Sequence, residues 1–467
     1  MRTTFFSLAS LTLALLGGCA VGPNFHPPKT DAPSAWTGVT TNLSTNAATA
    51  AVSAPAQVAQ WWENFHDPLL TSLVRQALVT NLDWQIAVAR LRQARAERGI
   101  AAAAWFPSAT ASASYERAGF GASGRSHDGF LAGLDAIWEL DIFGGTRRNV
   151  ESANALIEAA GENIHDVQVS VAAEVALNYI QLRSAQEQVV IAQQNLEAQR
   201  RTADLTRRRL AAGFVSALDV ANANAQVATT ESAIPGLDTL AQQSIYALSV
   251  LLNRWPADLL PELSVVAAAP LTPPEVPVGL PSELARRRPD IRAAEAQLHS
   301  ATAQIGVAEA DLFPKFSLTG SINYQNDLLR TWFAGAGRAW QVGPSLTWPI
   351  LQGGSIVANV HLQQALRDEF SLNYRKTVLT AFQEVENALV AFGREWDHRK
   401  ALTEAAAENR RAVDLSMQLY TQGATDFLSV LDAQRSLYIS ETALAQSRQS
   451  ISTDLVSLYK ALGGGWE

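Results

Sequence analysis

The sequence predicts a mainly α-helical chain that also carries strands of a transmembrane β-barrel, closed by threefold assembly into a trimeric α/β-barrel tunnel. Three observations carry that expectation. The chain repeats itself once, at a spacing of roughly 207–210 residues: Trp105-Phe106-Pro107 recurs as Leu312-Phe313-Pro314, and Gly213 with Leu218-Asp219-Val220 recurs as Gly423 with Leu428-Ser429-Val430. Each copy contains two stretches that alternate apolar and polar residues. Each also contains an uninterrupted helical stretch of about 67 residues, roughly 100 Å at 1.5 Å per residue.

The N-terminus reads as a signal. Met1-Arg2 supplies positive charge, and Phe5 to Leu16 is an apolar run too short to span a bilayer. Leu16-Gly17-Gly18 then precedes Cys19, the only cysteine of the 467 residues, which rules out an intrachain disulfide. A small-residue pair before a lone Cys resembles the bacterial lipoprotein box. It predicts removal of residues 1–18, lipidation of Cys19 and, because Ala20 rather than Asp follows, an outer-membrane destination. Residues 19–65 form a tether, rich in Pro, Thr, Ala and Ser between 24 and 60.

The first structural repeat is expected at 66–254. Helical patterning begins near Asp67-Pro68, breaks around Asn81-Leu82-Asp83 and stops at Pro107. Strands are expected at about 108–117 and 130–141. Ala109, Ala111, Ala113 and Tyr115 alternate with Thr110, Ser112, Ser114 and Glu116; Leu134, Ala136, Trp138 and Leu140 oppose Asp135 and Glu139. The second repeat, 290–462, is cleaner. Phe316, Leu318, Gly320, Ile322 and Tyr324 oppose Lys315, Ser317, Thr319, Ser321 and Asn323 in a strand at about 315–325. Trp340, Val342, Leu346 and Trp348 form one face of another at about 339–350. Alternation over about ten residues with Trp and Tyr near the ends marks a membrane β-strand. Pro344 inside the fourth strand predicts a bulge or local bend.

Long helices are expected at 146–212 and 355–422, each followed across a turn by a second helix, at 216–253 and 426–462. Val220, Val227, Ile234, Ala241 and Leu248 correspond to Val430, Leu437, Leu444, Ile451 and Leu458. That seven-residue spacing is coiled-coil packing. Pro235-Gly236 predicts a kink or break in the first copy only. Between the repeats, residues 255–289 carry eight prolines and read as an irregular linker; residues 463–467 form a short tail.

Four strands cannot close a barrel, and an open edge in lipid leaves backbone groups unpaired. Two chains give eight strands and a filled interior; three give twelve and leave a conduit. A self-standing porin places all its strands in one chain, and four strands fit that poorly. A purely structural coiled-coil lipoprotein does not account for the Trp- and Tyr-flanked strands. A net charge of -8, with charged residues only 17% of the chain, gives no sign of nucleic-acid binding. The seven histidines lack metal-ligand spacing and no catalytic constellation appears, so neither an enzyme nor a cofactor is expected. Arg286-Arg287-Arg288 reads as a solvated helix end, and Glu384 and Glu386 as a polar helix face.

The motifs Trp61-Trp62-Glu63-Asn64-Phe65-His66-Asp67-Pro68-Leu69, Arg288-Pro289-Asp290-Ile291, Ile305-Gly306 through Phe313-Pro314, Gly343-Pro344 through Trp348-Pro349, Gly353-Gly354, and Val430-Leu431-Asp432-Ala433-Gln434 span the whole chain. With them the chain resembles the outer-membrane factors, the TolC-like channels of tripartite efflux pumps and type I secretion, closest to the lipoprotein branch typified by OprM. The resemblance implies a homotrimer with a twelve-stranded barrel in outer-membrane lipid, a helical periplasmic tunnel, a periplasmic adaptor and an inner-membrane transporter as partners. The implied role is a passive exit duct for small molecules such as drugs; type I secretion or metal efflux is the alternative.

The same resemblance directs attention to the two helix reversals. Gly213, Phe214 and Leu218, with Gly423, Asp426 and Leu428, correspond to the periplasmic tip where the adaptor docks. Glycine takes the left-handed conformation that such a turn needs. Asp219 and Asp432 match the positions of inward aspartates that narrow the tunnel, and Ser429 stands where some members have a further Asp. Arg207, Arg208 and Arg209 are expected to pair with Asp426 or Asp432 across a closed tip, through individually weak exposed contacts.

Overall fold

The computed structural model describes residues 20–29, 33–37, 59–120, 125–270, 272–273, 284 and 287–466. A short 3-10 helix, Trp61–Phe65, leads into α1 (Pro68–Thr80) and α2 (Leu82–Ala103). Then come β1 (Ser108–Phe120), β2 (Arg125–Leu140), α3 (Gly145–Ala211), α4 (Ala217–Leu251) and the single turn α5 (Leu260–Leu263). The second half contributes α6 (Pro289–Ala310), β3 (Lys315–Asn326), β4 (Arg338–Thr347), α7 (Ser355–Thr421) and α8 (Phe427–Ala461). The duplication is thus structural: α3 and α7 are each 67 residues, α4 and α8 each 35.

The chain divides into two compact units, and each draws on both repeats. One holds residues 1–29, 89–162 and 292–377, including the sheet; the other holds 30–88, 163–291 and 378–467, including both helix reversals. Among the described residues no helix is long and apolar enough to cross a membrane.

In the first unit the four strands form one antiparallel sheet in the order β1-β2-β3-β4. Strands β1 and β2 reach further than their alternation predicts, with pairing continuing from Tyr115↔Phe130 to Ala118↔His127 and beyond. Strand β4 ends at Thr347, three residues short of the expected end, because Trp348-Pro349 leads the chain out. The bulge expected at Pro344 is absent: the register runs unbroken through Leu318↔Pro344. Pro344 lies on an end strand of the sheet, where a missing N–H is tolerated.

The second unit is organised around the Trp61 motif. Trp61 and Phe65 are fully buried, Trp61 stacks on Tyr459 of α8 at 5.4 Å, and Asn64 Nδ2 donates to Tyr459 Oη at 2.9 Å. Asp67 caps α1 by accepting from the Leu69 and Leu70 N–H groups, with Pro68 at the first helical position. Its other oxygen accepts the Tyr179 hydroxyl of α3 at 2.8 Å. Of the kink or break expected at Pro235-Gly236, the break is absent, since α4 runs through Pro235 as one helix. Pro235 is exposed, so water can satisfy the carbonyl that loses its partner.

Candidate functional site

The sheet has two chemically distinct faces. Register places Ala111, Leu134, Ile322 and Trp340 in one row across all four strands, and Ala109, Ala136, Gly320 and Val342 in the next. Trp138 with Leu318, and Leu140 with Phe316 and Leu346, extend the same face. Leu134, Leu318, Trp340, Val342 and Leu346 on it are all exposed. The opposite rows are mostly polar: Thr110, Asp135, Ser321 and Gln341 lie together, as do Ser112, Gly133 and Asn323, with Leu131 and Ile137 as apolar members of that face. A Cβ at Gly133 would meet the Asn323 side-chain amide, which would have to shift to admit it. An apolar face in water is a liability, whereas in lipid it is the side that belongs outward.

Both ends of the repeat are pinned in the same way. Trp138 Nε1 donates to the Trp105 carbonyl at 2.9 Å, and Trp348 Nε1 to the Leu312 carbonyl at 3.1 Å. Each indole therefore ties the exit of one strand to the loop that enters its hairpin partner. Phe143 stacks on Phe313 at 4.6 Å beside them.

The helix reversals in the second unit are built from the same backbone twice. Gly213 (φ 80) donates to Leu210 O at 2.9 Å, and Phe214 N–H to Arg209 O at 2.9 Å. Gly423 (φ 75) donates to Tyr420 O at 3.0 Å, and Ala424 N–H to Leu419 O at 2.9 Å. Both are Schellman endings, which require a left-handed residue where a side chain costs energy. The following helices are capped with the chemistry exchanged. Ser216 caps α4 and pairs reciprocally with Asp219, its Oγ accepting the Asp219 N–H at 3.2 Å while Asp219 Oδ2 accepts the Ser216 N–H at 2.9 Å. Asp426 caps α8 by accepting the Ser429 N–H at 3.1 Å and the Ser429 hydroxyl at 2.7 Å. Those bonds, the hydroxyl first, hold the Asp426 carboxyl below the usual carboxylate range.

A small apolar core brings the two reversals together. Phe427, Val430 and Leu431 of α8 pack with Tyr420 of α7, Ala203 of α3 and Ala223 of α4, and Val215 joins from the first turn. Gln434 Nε2 donates to Thr202 Oγ1 at 2.9 Å inside the same contact. Around this core Phe214, Leu218 and Leu428 point into solvent, at 74%, 67% and 53% exposure. Asp432 is exposed too and has no hydrogen bond or ion pair among the described residues. Phe427 and Tyr420 escape a heptad reading that begins at Val430. The i, i+3, i+4 spacing of Phe427, Val430 and Leu431 is the signal that marks the first of them.

Several sequence expectations are corrected here. Arg207 and Arg208 pair with Asp204 of their own helix, at 3.5 and 2.6 Å. Arg209 lies over the Tyr420 ring at 4.4 Å and donates to the Tyr420 carbonyl. Within the chain none of the three meets Asp426 or Asp432: Arg207 and Arg208 are taken by Asp204 one helical turn away, and Arg209 by Tyr420. Arg288 is not solvated: its side chain is 10% exposed and bonds Asp290 at 2.8 Å, Glu384 at 2.6 Å and the Ala461 carbonyl at 3.0 Å. Glu384 is thereby tied to the α6 N-terminus, and Glu386 accepts the Thr37 N–H at 2.8 Å. Cys19 lies outside the described residues.

A sheet too small to close alone, apolar on one face, in a chain with helices of 67 residues, defines a class of protein: the helix-and-barrel channels of the outer membrane. Residues 73–254 and 280–464 match the family model described as outer membrane efflux protein. The chain is 35% identical to nodulation protein T of Rhizobium leguminosarum bv. trifolii, over 99% of its own length and 97% of that protein's. It is 33% identical to the toluene efflux pump outer membrane protein TtgC of Pseudomonas putida, over 100% and 96% of the two chains. The solved outer-membrane channel OprN superposes with a TM-score of 0.87 at 37% identity, covering 96% of this chain and 100% of that one. The chain belongs to the outer membrane efflux protein family.

Proposed function

We propose that the chain assembles as a homotrimer whose three sheets close one twelve-stranded barrel, and that it serves as the passive exit duct of a tripartite efflux pump. The observation that carries the reading is the four-stranded sheet with one continuous apolar face. Strands β1 and β4 each need a further neighbour, and lipid offers no water to satisfy their free edges. No catalytic step is required of such a duct. TtgC is named for a toluene efflux pump, which favours small organic cargo here as well.

A periplasmic adaptor would dock on the reversals, where Phe214, Leu218 and Leu428 are exposed and Gly213, Gly423 and Asp426 shape the turns; an inner-membrane transporter would supply and select the cargo. Cys19, after loss of residues 1–18, would carry acyl chains. One chain binds membranes only marginally, so the barrel supplies the stable attachment. For the constriction, Asp432 is the leading residue of the set Asp219, Ser429 and Asp432, since the other two are engaged in helix caps.

Native mass spectrometry of the detergent-solubilised protein should give a trimer; a stable monomer or dimer in a pore-forming preparation would sink the assembly. Asp432→Ala should raise single-channel conductance in planar bilayers and reduce block by divalent cations, because it removes one carboxylate per chain from a threefold ring. Unchanged conductance moves the constriction elsewhere while leaving the duct intact.

A further inference from the structure

The second unit contains a cavity of about 640 Å³ that the duct reading does not use. Its walls come from the segment Val266–Pro270, from α3 through Glu187 and Val190, from α7 through Trp396 and Arg399, and from α8 through Arg448. That size suits a small organic molecule. The lining is mainly aliphatic, yet it carries two guanidinium groups and a single carboxylate.

The charges do not cancel. Arg448 is matched by Glu187 at 2.6 Å. Arg399 is only partly exposed and has no carboxylate partner among the described residues. Glu395, one turn before Arg399 on α7, is held by His398 Nδ1 at 3.1 Å and by the Ser447 hydroxyl. What Arg399 does have is an aromatic platform: its guanidinium lies 4.1 Å from the centre of the Trp396 ring. Stacking of this kind satisfies the flat face of the group and leaves its N–H edge free to bind an anion. Burial, then the like charge of Arg448, depresses the Arg399 pKa, which is the response of a cation still lacking its counter-charge.

We propose that this cavity binds a small organic anion, with the acidic group seated on Arg399 and Arg448 and the apolar body against the Val266–Pro270 wall. A carboxylate or sulfonate attached to an aromatic or aliphatic body fits both halves of the lining. A purely hydrophilic ion leaves the aliphatic wall wet, and a neutral hydrophobe leaves Arg399 uncompensated.

Calorimetry on the full-length protein in nanodiscs tests the site with two probes of matched shape, 1-naphthoate and 1-naphthalenemethanol. Naphthoate should bind once per chain, and the neutral alcohol at least about tenfold more weakly, as expected for loss of a charge-assisted contact. Arg399→Gln should weaken naphthoate binding by about tenfold or more. Glu187→Gln should strengthen it several-fold, because the cavity then carries two uncompensated cations; a residue with only a packing role does not produce that gain. Equal binding of acid and alcohol, or naphthoate affinity indifferent to both substitutions, overturns the proposal. So does the absence of any binding, which would mean that other protein fills the cavity in the assembly.

Discussion

The two helix reversals have nearly the same backbone and quite different surroundings. At the first, Gly213 and Ser216 end one helix and start the next, and Phe214 is left 74% exposed. At the second, Gly423 and Asp426 do the same work, but the aromatic residues turn inward: Tyr420 is 1% and Phe427 3% exposed, with the rings 5.9 Å apart. Duplication has preserved what the backbone needs, a left-handed glycine and a hydroxyl–carboxylate cap, and has let the acid and the hydroxyl change places. Side chains not bound by that need have diverged. The second reversal holds the structure together, while the first presents its aromatic residue outward.

Removing the inward aromatic breaks this comparison most severely. Phe427→Ala should leave a void costing about 3–5 kcal/mol locally, seen as faster hydrogen exchange through residues 415–435, whereas Phe214→Ala should leave exchange nearly unchanged. Equal effects would mean that the two reversals share the load. Next come the glycines. Gly213→Ala and Gly423→Ala should each cost about 1–2 kcal/mol, and by similar amounts, since both residues occupy the left-handed region.

The caps separate the two turns more finely. Ser216→Ala should destabilise the start of α4 by about 1 kcal/mol at any pH near neutral. Asp426 makes its cap depend on pH: its carboxyl is depressed in the folded chain, so the contribution is present above the unfolded carboxylate range and is lost as pH falls through the lower folded value. Asp426→Asn should flatten that dependence, read as amide exchange at the start of α8 between about pH 5 and pH 3. A further effect has the opposite sign. Burial, helped by Glu395, raises the carboxyl of Asp454, on the same helix, to about 6. Between about pH 6 and pH 4 the folded chain binds a proton that the unfolded chain does not, so stability should rise as pH falls through that window. Asp454→Asn should abolish the rise and stabilise the protein at neutral pH; an unchanged thermal-denaturation profile would show that Asp454 keeps its charge.

What could be read from the residues was whatever local periodicity encodes. Alternation over Phe316–Tyr324 and 109–116 selected the strands and their apolar faces, and the register then aligned those faces without exception at Ala111, Leu134, Ile322 and Trp340. Uninterrupted helical patterning led to Gly145–Ala211 and Ser355–Thr421, and glycine marked both reversals. Periodicity is a property of neighbouring residues, and neighbours are what a sequence displays.

Partner choice across the chain could not be read in this way. A run of three arginines looks solvated until the fold places Asp290, Glu384 and the Ala461 carbonyl around Arg288. Arg209 looks like a partner for acids until Tyr420 arrives beneath it. Pro235 predicts a kink or break, but on an exposed face water can replace the lost hydrogen bond and the helix continues unbroken. The sequence by itself therefore determined which segments are strand, helix and turn, because those depend on the spacing of apolar residues and on glycine at two positions. Only the tertiary structure decided which charges are buried, which aromatic residues close the core and which acids are tied up in caps, because each of those depends on groups brought together from distant parts of the chain.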